Sequence, residues 1–309
     1  MIKNPALLAL LLLLSAPSYA EDPPAGKVIA QANSLYHTIY VTDEADGLRC
    51  MRFSLVLPGR QSCVDPKDPQ RVALQYGHAM LGALFLQPAP QRVLMIGLGG
   101  GSLSTAIRAL YPDAVIDAVE IDPAVAKIAE QYFYFKPDPK QQVIIGDGRN
   151  IVRRAGLDKK TYDIVFLDAF DKRYIPEHML TLEFIAEMKA VLAPGGVVAA
   201  NTASGGALYA YESQAYAQVF GLFYNLKPEA RIILAARDGL PPETTVKANA
   251  AKLAEKLKPL GVDVAKLLPL FISKPDWPAD TPVLIDKYSP ADLLNRQPAL
   301  TPDKNEKKP

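Results

Sequence analysis

Residues 92–120 read RVLMIG, then LGGGS, then a helix-like segment, then VIDAVE, and few folds accommodate that order. RVLMIG is apolar, contains β-branched residues and stops at a glycine, the pattern of a short buried strand. Gly97, Gly99, Gly100 and Gly101 follow at once, and Ser102 stands where an N-cap would open a helix over residues 103–110. A turn made of glycines brings the backbone close to a ligand, because no Cβ intervenes. Residues 115–119 form the next strand, which ends on Glu120, 23 residues beyond Gly97. Strand, glycine turn, helix, strand and terminal acid together make a nucleoside site, with the carboxylate set for ribose hydroxyls. A tight turn with no ligand is the competing reading, and the acid at the strand end weighs against it.

Downstream the alternation continues. The pattern predicts helix 123–131, strand 143–145, helix 149–155, strand 162–167 and helix 182–192. A Pro194-Gly195-Gly196 turn, strand 197–201, helix 209–223 and strand 231–235 follow. This rhythm implies a mostly parallel α/β sheet covered on both faces, with ligands beyond the carboxyl ends of its strands. Glu120, Asp147 and Asp168 fall at three such ends. Beyond residue 240 the pattern gives an amphipathic helix over 244–257, a last strand at 283–285 and a charged tail over 301–309 expected to be disordered.

Upstream, LYHTIYVTDE and LRCMRFSLVL flank the turn Ala45-Asp46-Gly47, so residues 34–64 make a small β module. Residues 21–33 read as a flexible lead, 65–70 as a loop, and 72–85 as a helix with Val72, Tyr76, Met80 and Leu84 on one face. Residues 1–20 carry Lys3, an apolar run over 6–14 and Ser18-Tyr19-Ala20, the pattern of an export signal cleaved after Ala20. The run is too short to span a bilayer comfortably, so no stable membrane span is expected; an uncleaved anchor or a misjudged start codon is the alternative. The organisation is thus a signal peptide at 1–20, a small β domain at 21–70, a nucleoside-binding domain at 71–300 and a tail at 301–309. In an exported chain the two cysteines, Cys50 and Cys63, imply one disulfide between neighbouring strands, with unlinked thiols as the alternative. His37, His78 and His178 are scattered and offer no zinc set, so no metal is expected. A net charge of +1 with no basic cluster before the tail argues against nucleic acid as a partner.

From about residue 34 to 221 the sequence resembles the polyamine aminopropyltransferases, the spermidine synthase family. The resemblance rests on the β module, Gln61, the Tyr76–Met80 region, IGLGGGS, VEIDP, GDG at 146–148, LDAFD at 167–171 and APGG at 193–196. It implies a Rossmann-like, class I methyltransferase-type parallel sheet behind a small N-terminal β domain. It further implies transfer of an aminopropyl group from decarboxylated S-adenosylmethionine to a polyamine, with methylthioadenosine released and no permanently bound cofactor.

Position by position, the resemblance makes Asp168 the catalytic acid and Asp171 a substrate-binding one, with Tyr76 and His78 touching the amine. Glu120 holds the ribose, Asp147 and Gly148 the adenine edge, Ile121 the adenine face, Pro176 the nucleoside pocket and Gln61 the sulfur side. Gly97, Gly99 and Gly100 line the donor. An amine must lose a proton to complete its attack, which calls for a carboxylate within hydrogen-bond reach.

Three features depart from the family pattern. Gly100 replaces the aspartate of Gly-Gly-Asp-Gly-Gly, the residue that pairs with the donor's ammonium, so weak discrimination between the decarboxylated donor and S-adenosylmethionine is expected. The acid loop carries Ala169, Phe170 and Lys172 where the family has Ser, Ser and Pro. Export, to the periplasm, separates the chain from the cytoplasm where sulfonium nucleosides are made. These departures keep two further functions open: an S-adenosylmethionine-dependent methyltransferase, and a non-catalytic nucleoside- or polyamine-binding protein. The acceptor amine and a homodimer are both left open.

Overall fold

A computed structural model describes residues 26–294, apart from 57–58, 171–174 and 204. The expected signal at 1–20, the tail at 301–309 and Asp171 lie outside the described residues.

Four strands, β1 (Lys27–Asn33), β2 (Thr38–Asp43), β3 (Arg49–Arg52) and β4 (Ser62–Val64), pair antiparallel in chain order. Two short helices follow, α1 (Gln75–Leu81) and α2 (Ala83–Leu86). Then come β5 (Arg92–Ile96), α3 (Ser102–Leu110), β6 (Val115–Glu120), α4 (Pro123–Tyr132), β7 (Gln141–Ile145), α5 (Gly148–Leu157) and β8 (Tyr162–Leu167). The chain continues through α6 (Leu182–Ala190), β9 (Leu192–Thr202), α7 (Leu208–Phe220), β10 (Tyr224–Leu226), β11 (Arg231–Ala236) and α8 (Glu243–Leu257).

These later strands form one seven-stranded sheet in the order β10-β11-β9-β8-β5-β6-β7. It is parallel from β9 to β7, and β11 runs antiparallel between β9 and β10. The strand period explains why its apolar runs are continuous. On β5, Val93 and Met95 enter the core on one face while Leu94 and Ile96 enter the core on the other. Residues from α1, α2, α3 and α8 fill the first core, and residues from α5, α6 and α7 fill the second. Each fully buried Val, Leu or Ile contributes about 1.5–3 kcal/mol, so both faces anchor the sheet. Among the described residues, no helix is long and apolar enough to cross a membrane.

The N-terminal sheet docks on α4. Ile39, Val41, Met51 and Val64 pack with Val125, Ile128 and Phe133. Asp122 caps α4 by accepting from the Ala124 amide (2.9 Å), and its second oxygen accepts from the Ser34 hydroxyl. Cys50 and Cys63 face each other across β3 and β4 and are joined in a disulfide.

Several local expectations are corrected. Residues 27–33 form β1, paired along its length with β2 rather than a flexible lead; its alternation is weak because it is the sheet edge. The helix expected over 72–85 is shorter and divided at Gly82, and Val72 precedes it, its amide donating to the Leu260 carbonyl (3.0 Å). Ser102 is not the N-cap of α3. Gly101 takes that position with φ +78°, which glycine alone adopts cheaply, and the Ser102 hydroxyl donates to the Cys63 carbonyl (3.3 Å). Pro194-Gly195-Gly196 lies inside β9 as a bulge: pairing with β8 jumps from Tyr162↔Leu192 to Ile164↔Val197. Helix α7 stops at Phe220, and the unforeseen β10 follows it. Residues 283–285 form no strand, only an isolated bridge between Ile285 and Tyr288.

Candidate active site

Because β8, β5, β6 and β7 are neighbours, their carboxyl ends bring Asp168, Gly97, Glu120 and Asp147 into one row. The turn after β5 permits this. Gly97 has φ +95°, and a Cβ there would lie 2.1 Å from the Asp168 carbonyl oxygen. The Gly97 amide donates to the Val119 carbonyl and the Asp168 amide to the Ile96 carbonyl, each at 2.8 Å, so the β5 turn is tied to both flanking strands. Only glycine fits where two backbones approach so closely.

Two cavities open along the row. The first encloses about 820 Å³ of non-atom space, solvent at its mouth included, and is lined by Gln61, Tyr76, Gly97, Gly99, Glu120 and Asp168. The second, of about 710 Å³ measured alike, is lined by Ile121, Asp147, Gly148, Pro176 and His178. Gly97, Ala169 and Phe170 line both, so the cavities meet over the glycine turn and the loop after β8.

In the first cavity, the carboxylate of Glu120 accepts from the amides of Leu98 (3.1 Å) and Asp122 (3.0 Å), with a further bond to the Gly99 amide. Burial pushes this carboxyl above the usual range, and those amides partly oppose the rise. A carboxylate has about four lone-pair sites, so capacity remains for ligand hydroxyls. Asp168 accepts from the Asn201 amide (3.0 Å) and from the Tyr76 hydroxyl. Burial again raises its pKa, and the bonds from Asn201 and Tyr76 act against that rise. Burial and the adjacent Asp168 charge hold the Tyr76 phenol protonated, well above its ordinary value.

In the second cavity Asp147 caps α5, one oxygen accepting from the Asn150 amide (2.9 Å). Its other oxygen lies 2.8 Å from Nε2 of His178. The buried guanidinium of Arg149 donates to the His178 carbonyl (2.8 Å) and pairs with Glu187 (2.9 Å) and Asp286 (2.6 Å), fixing the backbone under that imidazole.

Two expected site residues are elsewhere. His78 turns from the cleft: its Nε2 lies 2.7 Å from the Val72 carbonyl, burial lowers its pKa, and it lines neither cavity. The reason is helical geometry, since two residues along α1 amount to about 200° of rotation, which sets His78 opposite Tyr76. Gly100 also lines neither cavity; a Cβ there would sit 2.8 Å from both the Phe133 ring and the Ser62 hydroxyl. The position therefore faces packed protein rather than a donor tail.

Asn201 and His178 meet the acids Asp168 and Asp147 although no sequence pattern marks either residue. Asn201 ends β9's predicted span, but an amide gives no titratable signal; in the structure its Oδ1 is buried with no hydrogen-bond partner among the described residues. His178 is separated from Asp147 by 31 residues, and no spacing rule connects them.

Residues 77–223 match the family model described as the spermine/spermidine synthase domain. A polyamine aminopropyltransferase of Vibrio vulnificus is 41% identical over 273 residues, covering 86% of this chain and 91% of that protein. An eEF1A lysine and N-terminal methyltransferase homolog of Drosophila melanogaster is 36% identical over 115 residues, covering 35% of this chain and 17% of that protein. Among solved structures, a probable spermidine synthase from Corynebacterium glutamicum superposes with a TM-score of 0.61 at 17% identity, over 82% of this chain and 97% of that one, which shows a shared fold.

Proposed function

This chain belongs to the polyamine aminopropyltransferase (spermidine synthase) family, a family of transferases, and we propose that it moves an aminopropyl group from decarboxylated S-adenosylmethionine to a polyamine. The observation that carries the reading is the position of Asp168. It stands in one cavity with Glu120 and the glycine turn, and its carboxylate is held by Tyr76 and Asn201.

The reaction follows from that placement. The amine lone pair attacks the carbon beside the sulfonium, the carbon–sulfur bond breaks, and sulfur keeps the electron pair, so methylthioadenosine leaves. The new ammonium gives its extra proton to Asp168, a carboxylate whose proton affinity burial raises. Glu120 accepts the ribose hydroxyls, while Asp147, Gly148, Ile121 and Pro176 surround the base. Fixing donor and amine in adjoining cavities converts an encounter of two cations into an oriented attack. Gln61 lines the first cavity, which supports the sulfur-side role that the family resemblance gives it.

A second reading, methyl transfer from S-adenosylmethionine, is supported by the likeness to the Drosophila melanogaster methyltransferase homolog, 36% identical over 115 residues. We read the chain as exported to the periplasm, and the Cys50–Cys63 disulfide supports an oxidising compartment.

The test is mass spectrometry of products from the purified chain given each sulfonium donor with putrescine or spermidine. Aminopropylated amine and methylthioadenosine are expected, and Asp168→Asn should lose turnover at least a hundredfold while still binding methylthioadenosine, as expected of a general base. Methylated amine in their place would establish the second reading; no product with any polyamine overturns both.

A further inference from the structure

Resting on that nucleoside reading, we propose that Asp286 is a positioning residue for nucleoside affinity. With Arg149, 137 positions before it, it straps down residues 177–182, one wall of the second cavity, and so sets how often that wall stands ready for a ligand.

The hub is a guanidinium at the start of α5. The Arg149 side chain is 5% exposed, and each of its N–H groups has an acceptor. Nε and Nη2 donate to the two oxygens of Glu187 on α6, both at 2.9 Å. Nη1 and Nη2 donate to the two oxygens of Asp286, at 2.6 and 2.8 Å. Nη1 also donates to the His178 carbonyl at 2.8 Å. Arginine suits the place because its planar fork meets carboxylates bidentately, as a lysine ammonium does not. The bonds from Arg149 hold the Asp286 carboxyl below the usual carboxylate range, so it is ionised at neutral pH.

The segment around Asp286 ties the wall at further points. Asp286 Oδ1 accepts from the Thr181 hydroxyl (2.8 Å), and the Leu284 carbonyl accepts from the Leu182 amide (2.8 Å). The Ser289 hydroxyl donates to the Glu177 carbonyl (3.3 Å). Between these ties lies a single helical turn, Glu177–Met179, and Pro176, His178 and Met179 from this stretch line the cavity. Met179 already abuts Gly148, where a Cβ would lie 3.0 Å from its Cε, so a displaced wall reshapes the cavity.

Burying charges cancels much of their Coulomb gain, so the main effect of the cluster is one fixed geometry. When a wall is competent only part of the time, apparent affinity falls by that fraction, and saturating ligand restores the competent form. Asp286 lines neither cavity, so its loss acts on nucleoside binding and not on the chemistry at Asp168.

Calorimetry with methylthioadenosine, steady-state kinetics and amide exchange on the full chain test this. Asp286→Ala, which leaves Arg149 paired with Glu187, should weaken methylthioadenosine binding and raise the donor KM, each about tenfold, as when a tenth of the walls remain competent. At saturating donor its kcat should stay within about twofold of wild type, the split expected when binding alone is lost. Amides of residues 177–182 should exchange faster in the variant and regain wild-type protection with saturating methylthioadenosine. Lys287→Ala, at an exposed neighbour, should change none of these. If Asp286→Ala does not fold, Asp286→Asn keeps one acceptor oxygen for Arg149 and carries the same readouts with a smaller loss. Wild-type affinity in a folded Asp286 variant, a kcat that falls in parallel with affinity, or an equal loss in Lys287→Ala overturns the proposal. Failure of wild type to bind methylthioadenosine would instead overturn the nucleoside reading itself, and this inference with it.

Discussion

Replacing Glu120 by glutamine tests the nucleoside site with least change of shape. Both carboxylate oxygens already accept backbone amides, Oε2 from Leu98 and Oε1 from Asp122, at 3.1 and 3.0 Å. The substitution turns one acceptor into an NH₂ group that faces an amide N–H. One buried donor is left unsatisfied, at a cost of about 1–3 kcal/mol in stability. Ribose hydroxyls lose a charged acceptor as well. Charged hydrogen bonds contribute about 1.5–3 kcal/mol and neutral ones about 0.5–1.5, so two bonds lose roughly 2 kcal/mol, or about thirtyfold in affinity. Burial raises the Glu120 pKa, and the ligand needs the ionised form. Wild-type affinity should therefore fall as pH drops through a range above the ordinary carboxylate value, while the glutamine variant shows a flatter profile. Calorimetry with methylthioadenosine from pH 5 to 8, with urea unfolding of both proteins alongside, measures both effects. A folded Glu120→Gln that binds within threefold of wild type, with an unchanged pH profile, refutes the assignment of Glu120 to the ribose.

Gly100→Asp should not restore donor selection by itself, since its Cβ meets Phe133 and Ser62 at 2.8 Å; a loss of about 1–3 kcal/mol in urea unfolding is expected, typical of overpacking. A variant as stable as wild type that binds the decarboxylated donor selectively would show that the turn opens toward the cleft. Glu44 gives a pH prediction. Burial opposes its ionisation, but bonds from Arg52 and Thr42 outweigh this and hold the pKa at about 2 against an ordinary 4.5. A depressed pKa stabilises above the unfolded value, so up to about 3 kcal/mol should be present at pH 7 and lost as pH falls from 4.5 toward 2. The stability difference between wild type and Glu44→Gln should shrink over that window, and a constant difference argues against it. Reducing Cys50–Cys63 should cost roughly 3 kcal/mol by loop entropy and loosen the strand carrying Ser62 and Cys63 at the cleft wall. Urea midpoints with and without reductant check this; identical midpoints exclude it.

Local chemistry written along the chain determined much of this protein. The glycine turn, the apolar strands on either side and the acids at their ends are short-range signals, and β5, β6 and β8 with Glu120 and Asp168 follow from them directly. So did the pairing of Cys50 with Cys63, since two strands joined through one module place them opposite each other. Other features depended on neighbours distant in sequence. β1 exists as a strand because β2 is there to pair with it, not because of its own pattern. His78 and Tyr76 are nearly adjacent, yet helix rotation and the Val72 carbonyl take one away from the cleft while Asp168 keeps the other in it. Gly100 reads like part of a ligand turn until Phe133 and Ser62 close over it. Asn201 and His178 become site residues only through partners 33 and 31 positions away, Asp168 and Asp147. Backbone periodicity and turn chemistry act over a few residues and are legible in the chain. Which side chain faces a cavity is decided by packing across strands and helices, and only the tertiary structure brings those partners together.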